Sequence, residues 1–181
     1  MPEYDYSREG AYYITICAQD RRCLFGKIRN GEIALSECGR IVDDWWQRIP
    51  ERYSGVVLDE YVIMPNHIHA IIVIIDDVIC RGEVASPLGG SVDILGKPGE
   101  VASPLRGSGK YTLGQILAFY KYQTTKSINT IYNLPGNKIW QRNYWEHVIR
   151  NENSLHQIRG YIRNNPRHWA ADDKNPERGQ S

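Results

Sequence analysis

GVVLDEYVIMPNHIHAIIVII, residues 55–75, contains two apolar runs that flank a tight turn. Pro65 and Asn66 suit the second and third positions of such a reversal, so the sequence predicts two paired antiparallel strands, 55–64 and 67–75. The second strand is apolar at both its even and its odd positions, whereas a strand with one solvated face alternates. It is therefore predicted to be covered on both faces and to lie in the centre of its sheet.

Periodic segments before and after this hairpin predict further strands and helices. In chain order they are strand 11–17, a hairpin at Asn30-Gly31, helix 36–48, helix 112–131, strand 143–150 and helix 151–165. With the two strands above, the order is βαββαβ followed by one more helix. This order predicts an α+β fold with a ferredoxin-like antiparallel sheet and an extra C-terminal helix.

Capping residues and apolar stripes define the predicted helices. Ser36 is the expected N-cap of the first helix, and the apolar stripe of that helix is predicted to be Ile41, Trp45 and Ile49. Thr112 is followed three residues later by Gln, which is the capping-box pattern at the start of the second helix.

The length of 181 residues and the mass of 20.8 kDa favour one domain, residues 1–181. Apolar residues make up 41% and charged residues 24%, which argues against a largely disordered or low-complexity chain. No apolar run approaches the roughly 18 residues that a spanning helix needs. We therefore expect a soluble, cytoplasmic protein without membrane association. The 4 cysteines lack CxxC spacing and are predicted to be buried or incidental thiols rather than disulfides or zinc ligands.

Residues 76–110 are rich in Gly, Pro and Ser and do not fit the alternation of strands and helices. The segment GEVASPL occurs in them twice, at 82–88 and at 99–105. This unit is too short and too rich in proline to form a stacked solenoid. We interpret the stretch as a flexible surface insertion within the domain.

Positive charge is concentrated in the second half of the chain. Residues 111–168 contain 8 Lys/Arg and 2 Asp/Glu, whereas residues 1–75 contain 8 and 11. A basic block favours a polyanionic partner, although a solvated helix surface has the same composition. The candidate DNA-binding residues are Lys121, Lys126, Trp140, Arg142, Tyr144 and Arg150. The cations would hold phosphates, and the aromatic side chains, with Trp145, would stack on unpaired bases or equally pack at a sheet edge.

His67 and His69 open the predicted central strand with one residue between them. Because side chains alternate along a strand, both imidazoles point the same way and lie a few ångströms apart. This spacing offers two nitrogens to one metal ion, but two incidental histidines at a strand end have the same pattern. Since no thiolate accompanies them, a bound cation is expected to be Mg²⁺ or Mn²⁺ rather than structural zinc.

Tyr161 and Asn165 lie four residues apart in the last predicted helix, which ends at Asn165 because Pro166 follows. That spacing places both on one helix face. A cation held by two imidazoles and an amide oxygen leaves positions for phosphate oxygens, and a tyrosine phenolate could attack that phosphate while the 3′ oxygen leaves. On periodicity alone a half-buried core tyrosine is the simpler interpretation, and Tyr120 and Tyr122 are rival candidates.

Four motifs extend this interpretation to nearly the whole chain outside 81–106. They are YYITICAQDR (12–21), MPNHIH (64–69), WQRNYWEHVIRN (140–151) and YIRNNP (161–166). Together they resemble the single-tyrosine transposases of the HUH superfamily, specifically the REP-associated tyrosine transposases. Any one motif is unspecific, whereas the combination is highly specific.

The resemblance implies an endonuclease and strand transferase of DNA transposition and recombination. It implies that Tyr161 is the nucleophile, that it forms a 5′-phosphotyrosine link to single-stranded DNA, and that His67, His69 and Asn165 bind the divalent metal. Family members cut and rejoin single strands at hairpins, including repetitive extragenic palindromes, without ATP. Both a monomer and a homodimer are compatible with the resemblance.

A catalytically inactive or domesticated nucleic-acid-binding module on the same sheet is the alternative. It would bind DNA with a salt-dependent affinity but would not cleave it in the presence of metal. Hydrolysis of a small phosphoester is disfavoured because the strand segment with the two histidines supplies no carboxylate. Zinc deaminase chemistry is disfavoured because the H-x-E and P-C-x-x-C patterns are absent from the sequence.

Overall fold

The computed structural model describes residues 9–75 and 111–178. The insertion predicted at 76–110, with its repeat, lies outside the described residues. The elements, in chain order, are β1 (Gly10–Cys17), β2 (Gly26–Arg29), β3 (Glu32–Leu35), α1 (Glu37–Gln47), α2 (Ile49–Arg52), β4 (Val56–Met64), β5 (His67–Ile74), α3 (Leu113–Ile131), β6 (Trp145–Ile149) and α4 (Glu152–Asn164), with 3-10 helices at Gln19–Arg21 and Asn165–Ala171.

Four strands form the main sheet in the spatial order β4-β5-β1-β6, and all neighbours are antiparallel. β5 lies inside the sheet and is buried along nearly its whole length, so the central position predicted from its two-sided apolarity is confirmed. With α1 between β1 and β4 and α3 between β5 and β6, the order is that of the ferredoxin-like fold, and the predicted α+β class is confirmed. β2 and β3 form a separate hairpin closed by Asn30 and Gly31, whose φ angles of 53° and 77° suit a two-residue turn.

The two faces of the main sheet are covered differently. Tyr12, Ile14 and Ile16 of β1 are fully buried in a core shared with α1, α2 and α3. Tyr13 and Thr15 alternate with them and therefore point to the other face, which α4 covers in part. One strand thus supplies residues both to the main core and to the opposite face.

α1 begins as predicted, because the Ser36 hydroxyl oxygen accepts a hydrogen bond from the Gly39 amide at 3.0 Å. The predicted stripe is confirmed only in part. A Cβ on Gly39 would lie 1.9 Å from the Phe25 carbonyl oxygen, so the helix can approach that backbone only through a glycine. This contact sets the rotation of α1. The buried residues of α1 are Gly39, Val42 and Trp46, whereas Ile41 and Trp45 are half-buried at the border of the core. Ile49, which opens α2, is buried as predicted.

The remaining expectations about local structure concern a helix cap, the thiols and membrane spans. α3 has the predicted capping box, since Thr112 and Gln115 each accept a hydrogen bond from the other's backbone amide. The cysteines among the described residues, Cys17, Cys23 and Cys38, are free thiols. In residues 9–75 and 111–178 no helix has the length and apolar character that crossing a membrane requires.

Candidate metal and tyrosine site

His67 and His69 are the first and third residues of β5, directly after the turn that joins β4 to β5. Their side chains lie on the sheet face opposite the main core. The register of β1 against β5 pairs Cys17 with His67 and Thr15 with His69. Both imidazoles are buried, and their ring centroids lie 4.5 Å apart. The structure therefore brings the two histidines together as their spacing predicts.

The hydrogen bonds of Asn66 determine which nitrogen of His67 carries a proton. The Asn66 amide nitrogen donates to the Arg21 carbonyl at 2.9 Å and to the Lys174 carbonyl at 2.7 Å, so its Oδ1 must be the atom that faces the imidazole. His67 Nδ1 lies 2.8 Å from that oxygen and has to donate to it. The proton is thus on Nδ1, and the lone pair of Nε2 is free for a ligand.

His69 is held in a similar way by two hydroxyl groups of β1. Its Nδ1 lies 2.8 Å from the Tyr13 hydroxyl and 2.9 Å from the Thr15 hydroxyl. Its Nε2 points away from the strand toward the Tyr161 hydroxyl, at 3.4 Å. Contacts of this kind on the far nitrogen orient an imidazole whose other nitrogen binds a ligand.

Both histidines are neutral at physiological pH. Burial is the main reason that the pKa of His67 is lowered to about 2, with smaller contributions from the neighbouring His69, Lys174 and Arg21. Burial likewise lowers the pKa of His69 to about 3, with a smaller contribution from Lys174. Neutral imidazoles with free lone pairs are the form that binds a metal ion.

Tyr161 lies on α4 at the edge of this site, and ion pairs on both sides of it fix the helix. The Asp59 carboxylate accepts from Arg159 at 2.8 Å, and Glu60 accepts from Arg163 at 2.6 Å. Asp59 and Glu60 lie where the β4 register shifts against β5, which turns their side chains toward α4. Arg159 holds the pKa of the Asp59 carboxyl below its usual range. Tyr161 itself is 48% exposed, so its hydroxyl can meet a large substrate.

Two side chains of the C-terminal segment carry oxygen atoms of interest: Asp172, which lies near His67, and Asn165, which is buried. Asn165 is 3% exposed, and its Oδ1 is buried without a hydrogen-bond partner among the described residues, as is Nε2 of His67. Asp172 Oδ2 lies 3.9 Å from His67 Nε2. One ligand atom each from His67, His69 and Asp172 lie within 4.8 Å of one another. Two neutral imidazole nitrogens and a carboxylate oxygen fit a divalent cation such as Mn²⁺ or Mg²⁺.

A cavity of about 770 Å³ opens beside these groups. It is large enough for a nucleotide and its neighbours, since small-molecule sites span about 300–1,000 Å³. Its walls come from β1, β5, β6, α4 and the segments before β6 and after the last 3-10 helix. The lining residues are Tyr13, Thr15, Cys17, His69, Gln141, Asn143, Tyr144, Trp145, Gln157, Ile158, Tyr161 and Lys174.

Two of the predicted DNA contacts are wrong. Trp140 is 7% exposed, donates its indole N–H to Thr124 Oγ1 at 2.8 Å and packs on Phe25, so no base can stack on it. Lys121 donates from Nζ to the carbonyls of residues 141, 142 and 143 at 3.0, 3.2 and 3.1 Å. These bonds occupy all three ammonium protons, so Lys121 holds the loop before β6 and is not free to bind a phosphate.

The other candidates for DNA contact stay predictions. Tyr144 lines the cavity, and Lys126, Arg142 and Arg150 are exposed. The exposed tryptophan of this region is Trp145, which is 54% accessible and meets Tyr13 edge-on at 5.4 Å between ring centroids.

The two tyrosines that rivalled Tyr161 as the nucleophile lie outside the cavity. Tyr120 is buried in the main core and donates to the Val42 carbonyl, and Tyr122 is an exposed residue of α3 that does not line the cavity.

Sequence reasoning missed Asp172 and Lys174. Both follow the 3-10 helix that continues the chain beyond Pro166, where the apolar periodicity of α4 has ended. The one signal was the charged run DDK at 172–174, which by itself is typical of a solvated chain end.

No protein-family model matches this chain. An uncharacterized protein of Haemophilus influenzae is 39% identical to it over 172 residues, which are 95% of this chain and 88% of the relative. A solved structure of a REP-associated tyrosine transposase bound to a REP hairpin covers 92% of this chain and 73% of its own, with 18% identity and a TM-score of 0.49. A structure from Deinococcus radiodurans R1 covers 91% and 96%, with 13% identity and a TM-score of 0.44.

Proposed function

The chain belongs to the same family as the uncharacterized Haemophilus influenzae protein, and from its site we propose a metal-dependent, single-tyrosine DNA strand transferase. The observation that carries the proposal is the Tyr161 hydroxyl, which lies 3.4 Å from Nε2 of His69. This contact supports the proposal because a half-exposed tyrosine hydroxyl lies beside buried, neutral imidazoles that could hold a metal ion. A nucleic-acid-binding module has no use for this combination.

Four residues would hold the divalent cation. His67 and His69 supply imidazole nitrogens, Asn165 supplies its unpaired amide oxygen, and Asp172 supplies a carboxylate. A bound Mg²⁺ or Mn²⁺ would withdraw charge from the phosphorus and stabilise the oxygens of the transition state. Asp172 extends the set of ligands that the family resemblance implies.

Tyr161 would attack the phosphate. Its phenolic oxygen bonds to phosphorus, the bond from phosphorus to the 3′ oxygen breaks, and a 5′-phosphotyrosine link remains. The phenol loses its proton to solvent, which reaches the half-exposed ring, and the 3′ oxygen takes a proton from solvent. The free 3′ hydroxyl of another strand can reverse the same step, which joins strands without ATP.

We propose single-stranded DNA next to a hairpin as the substrate, as the motif resemblance implies. A single strand suits the cavity because its bases are unpaired and can stack on exposed aromatic side chains. Trp145 offers such a surface within the cavity that contains Tyr161. Whether the protein works as a monomer or a homodimer stays open to measurement.

Incubation of the full chain with end-labelled, hairpin-bearing single-stranded DNA and Mn²⁺ tests the proposal. We expect a covalent protein–DNA adduct on a denaturing gel, its loss with EDTA, and its loss in Tyr161→Phe. Tyr161→Phe removes one oxygen from a half-exposed ring, so its thermal unfolding and its hairpin binding should match those of the unaltered protein.

Tyr122→Phe is the matched control, since Tyr122 is also an exposed helical tyrosine but lies outside the cavity. It should form the adduct at the unaltered rate. If the unaltered protein binds the hairpin but forms no adduct and cleaves no strand with Mn²⁺, the non-catalytic binding module is correct and the proposal is wrong.

A further inference from the structure

Lys174 is fixed at the site through its backbone, while its side chain faces the cavity. Its amide donates to Asp172 Oδ1 at 2.7 Å, and its carbonyl accepts from the amide of Asn66, the residue that orients His67. The side chain is half-buried and lines the cavity together with His69 and Tyr161. These contacts hold the backbone of Lys174 next to the proposed metal site, within reach of which its side chain lines the cavity.

The positive charge of Lys174 is not paired with a negative charge in the described part of the protein. Its ammonium has no hydrogen bond or ion pair to residues 9–75 or 111–178. Its charge contributes to the lowered pKa values of His67 and His69 and partly offsets the rise that burial causes in the pKa of Cys17. A half-buried cation beside a site for another cation is unfavourable on its own, because like charges repel strongly where water is scarce. An anion between the two would remove this cost.

Among the residues that line this cavity, Lys174 is the one lysine or arginine. Lys121, another lysine near the cavity, donates all its ammonium protons to three backbone carbonyls. Arg21 is exposed and donates to the Asp173 carbonyl. Among the residues that line the cavity, an anion that enters it therefore meets one available cationic side chain, Lys174.

We propose that Lys174 binds a non-bridging oxygen of the phosphate that Tyr161 attacks. This inference rests on the proposed function and adds to it a phosphate-binding residue outside the ligand set. Lys174 would hold the phosphate between its ammonium and the metal, and would neutralise part of the charge that gathers on the oxygens in the transition state. Without DNA, the same ammonium should weaken metal binding.

Lys174→Gln tests this with Lys27→Gln as the matched control, because Lys27 is an exposed lysine of β2 that does not line the cavity. The first measurement is Mn²⁺ titration of the DNA-free proteins by calorimetry. We expect Lys174→Gln to bind Mn²⁺ several-fold more tightly than the unaltered protein, and Lys27→Gln to bind it equally. A residue with a merely structural role would weaken metal binding when replaced.

The second measurement compares two hairpin oligonucleotides in EDTA, one natural and one with a neutral methylphosphonate at the mapped cleavage position. Each variant also carries Tyr161→Phe to prevent turnover. Without Lys174→Gln the protein should prefer the natural phosphate by about tenfold, as expected of a charge-assisted hydrogen bond. With Lys174→Gln the preference should vanish, and with Lys27→Gln it should persist.

Full retention of the phosphate preference in Lys174→Gln, or weaker Mn²⁺ binding by that variant, would overturn the inference. The outcome is separable from a failure of the proposed function. If the unaltered protein forms the adduct and Lys174→Gln keeps the preference, only the role of Lys174 is wrong. If the unaltered protein forms no adduct, the proposed function itself is wrong.

Discussion

The two faces of the main sheet share the same strands but have opposite characters. The face toward α1 and α3 is a continuous apolar core, in which Tyr12, Ile14 and Ile68 are fully buried. The face toward α4 has a small apolar cluster around Ile71 at one end, and at the other end the histidines, hydroxyls and open cavity. Neighbouring residues of one strand therefore serve the stability of the fold and the chemistry of the site separately.

This division explains how the site can contain buried polar groups. Neutral histidines, an unpaired amide oxygen and a half-buried lysine all cost free energy in the apo protein. The core on the other face supplies the stabilisation that offsets this cost. Substitutions on the two faces should accordingly affect different measurements.

The largest expected effect on stability comes from the core face. Trp46 is fully buried and packs edge-on against Tyr120 at 5.2 Å between ring centroids, so Trp46→Ala should lower the free energy of unfolding by about 3–5 kcal/mol. Trp145→Ala, on the exposed side, should cost about 1 kcal/mol or less. Urea unfolding of both variants measures the difference. Equal losses of unfolding free energy would show that the two faces do not differ in their contribution to stability.

Metal binding should stabilise the protein through residues on the α4 face of the sheet alone. At a Mn²⁺ concentration of about 100 times its dissociation constant, the free energy of unfolding should rise by about 2.7 kcal/mol. His67→Gln should abolish this gain because it removes the unpaired Nε2, and Asp172→Asn should reduce it. Thermal unfolding with Mn²⁺ or with EDTA measures the gain, and Trp145→Ala, which removes no ligand, serves as the control. An undiminished gain in His67→Gln would place the ion elsewhere.

Base stacking should depend on the exposed tryptophan. Trp145→Ala should weaken binding of single-stranded hairpin DNA by about 1–3 kcal/mol, and Trp145→Phe should retain most of the affinity. Tyr122→Ala, which removes an aromatic ring that is 61% exposed outside the cavity, should change it little. Fluorescence anisotropy at one fixed salt concentration measures all three. Equal weakening by the two alanine variants would argue for nonspecific surface contacts.

The pH dependence of stability should reveal the buried neutral histidines. The pKa of His67 falls to about 2 and that of His69 to about 3 in the folded protein, whereas an unfolded histidine titrates near 6.5. Between pH 6.5 and 3 the unfolded chain therefore binds more protons, and the free energy of unfolding should fall by up to about 1.4 kcal/mol per pH unit for each imidazole as the pH is lowered. Above pH 6.5 the two residues should contribute no slope.

Denaturant unfolding in EDTA across this pH range measures the slope. The variant with both His67→Gln and His69→Gln should have a shallower slope than the unaltered protein. Identical slopes would mean that the imidazoles are not buried in the neutral form.

Sequence alone could predict the sheet because its signals are local. The two-sided apolarity of β5, the turn at Pro65 and Asn66, and the capping box at Thr112 each need only a few neighbouring residues. The spacing of His67 and His69 is also a local signal, since the alternation of side chains along a strand fixes where both imidazoles point.

Other features depend on contacts between distant parts of the chain and could not be predicted. The rotation of α1 follows from the approach of Gly39 to the Phe25 carbonyl. Trp140 and Trp145 lie in one motif, but only the structure shows that Thr124 fixes the first in the core. Asp172 reaches His67 across about a hundred residues of sequence, from a segment without apolar periodicity.

The most direct test of the account is to identify the residue that carries the DNA. The full chain is incubated with Mn²⁺ and a hairpin oligonucleotide, digested with nuclease and trypsin, and analysed by tandem mass spectrometry. The account predicts a nucleotide mass on Tyr161 within the peptide 160–163. Attachment to a different tyrosine such as Tyr13, or strand cleavage without any protein-linked nucleotide, would contradict it.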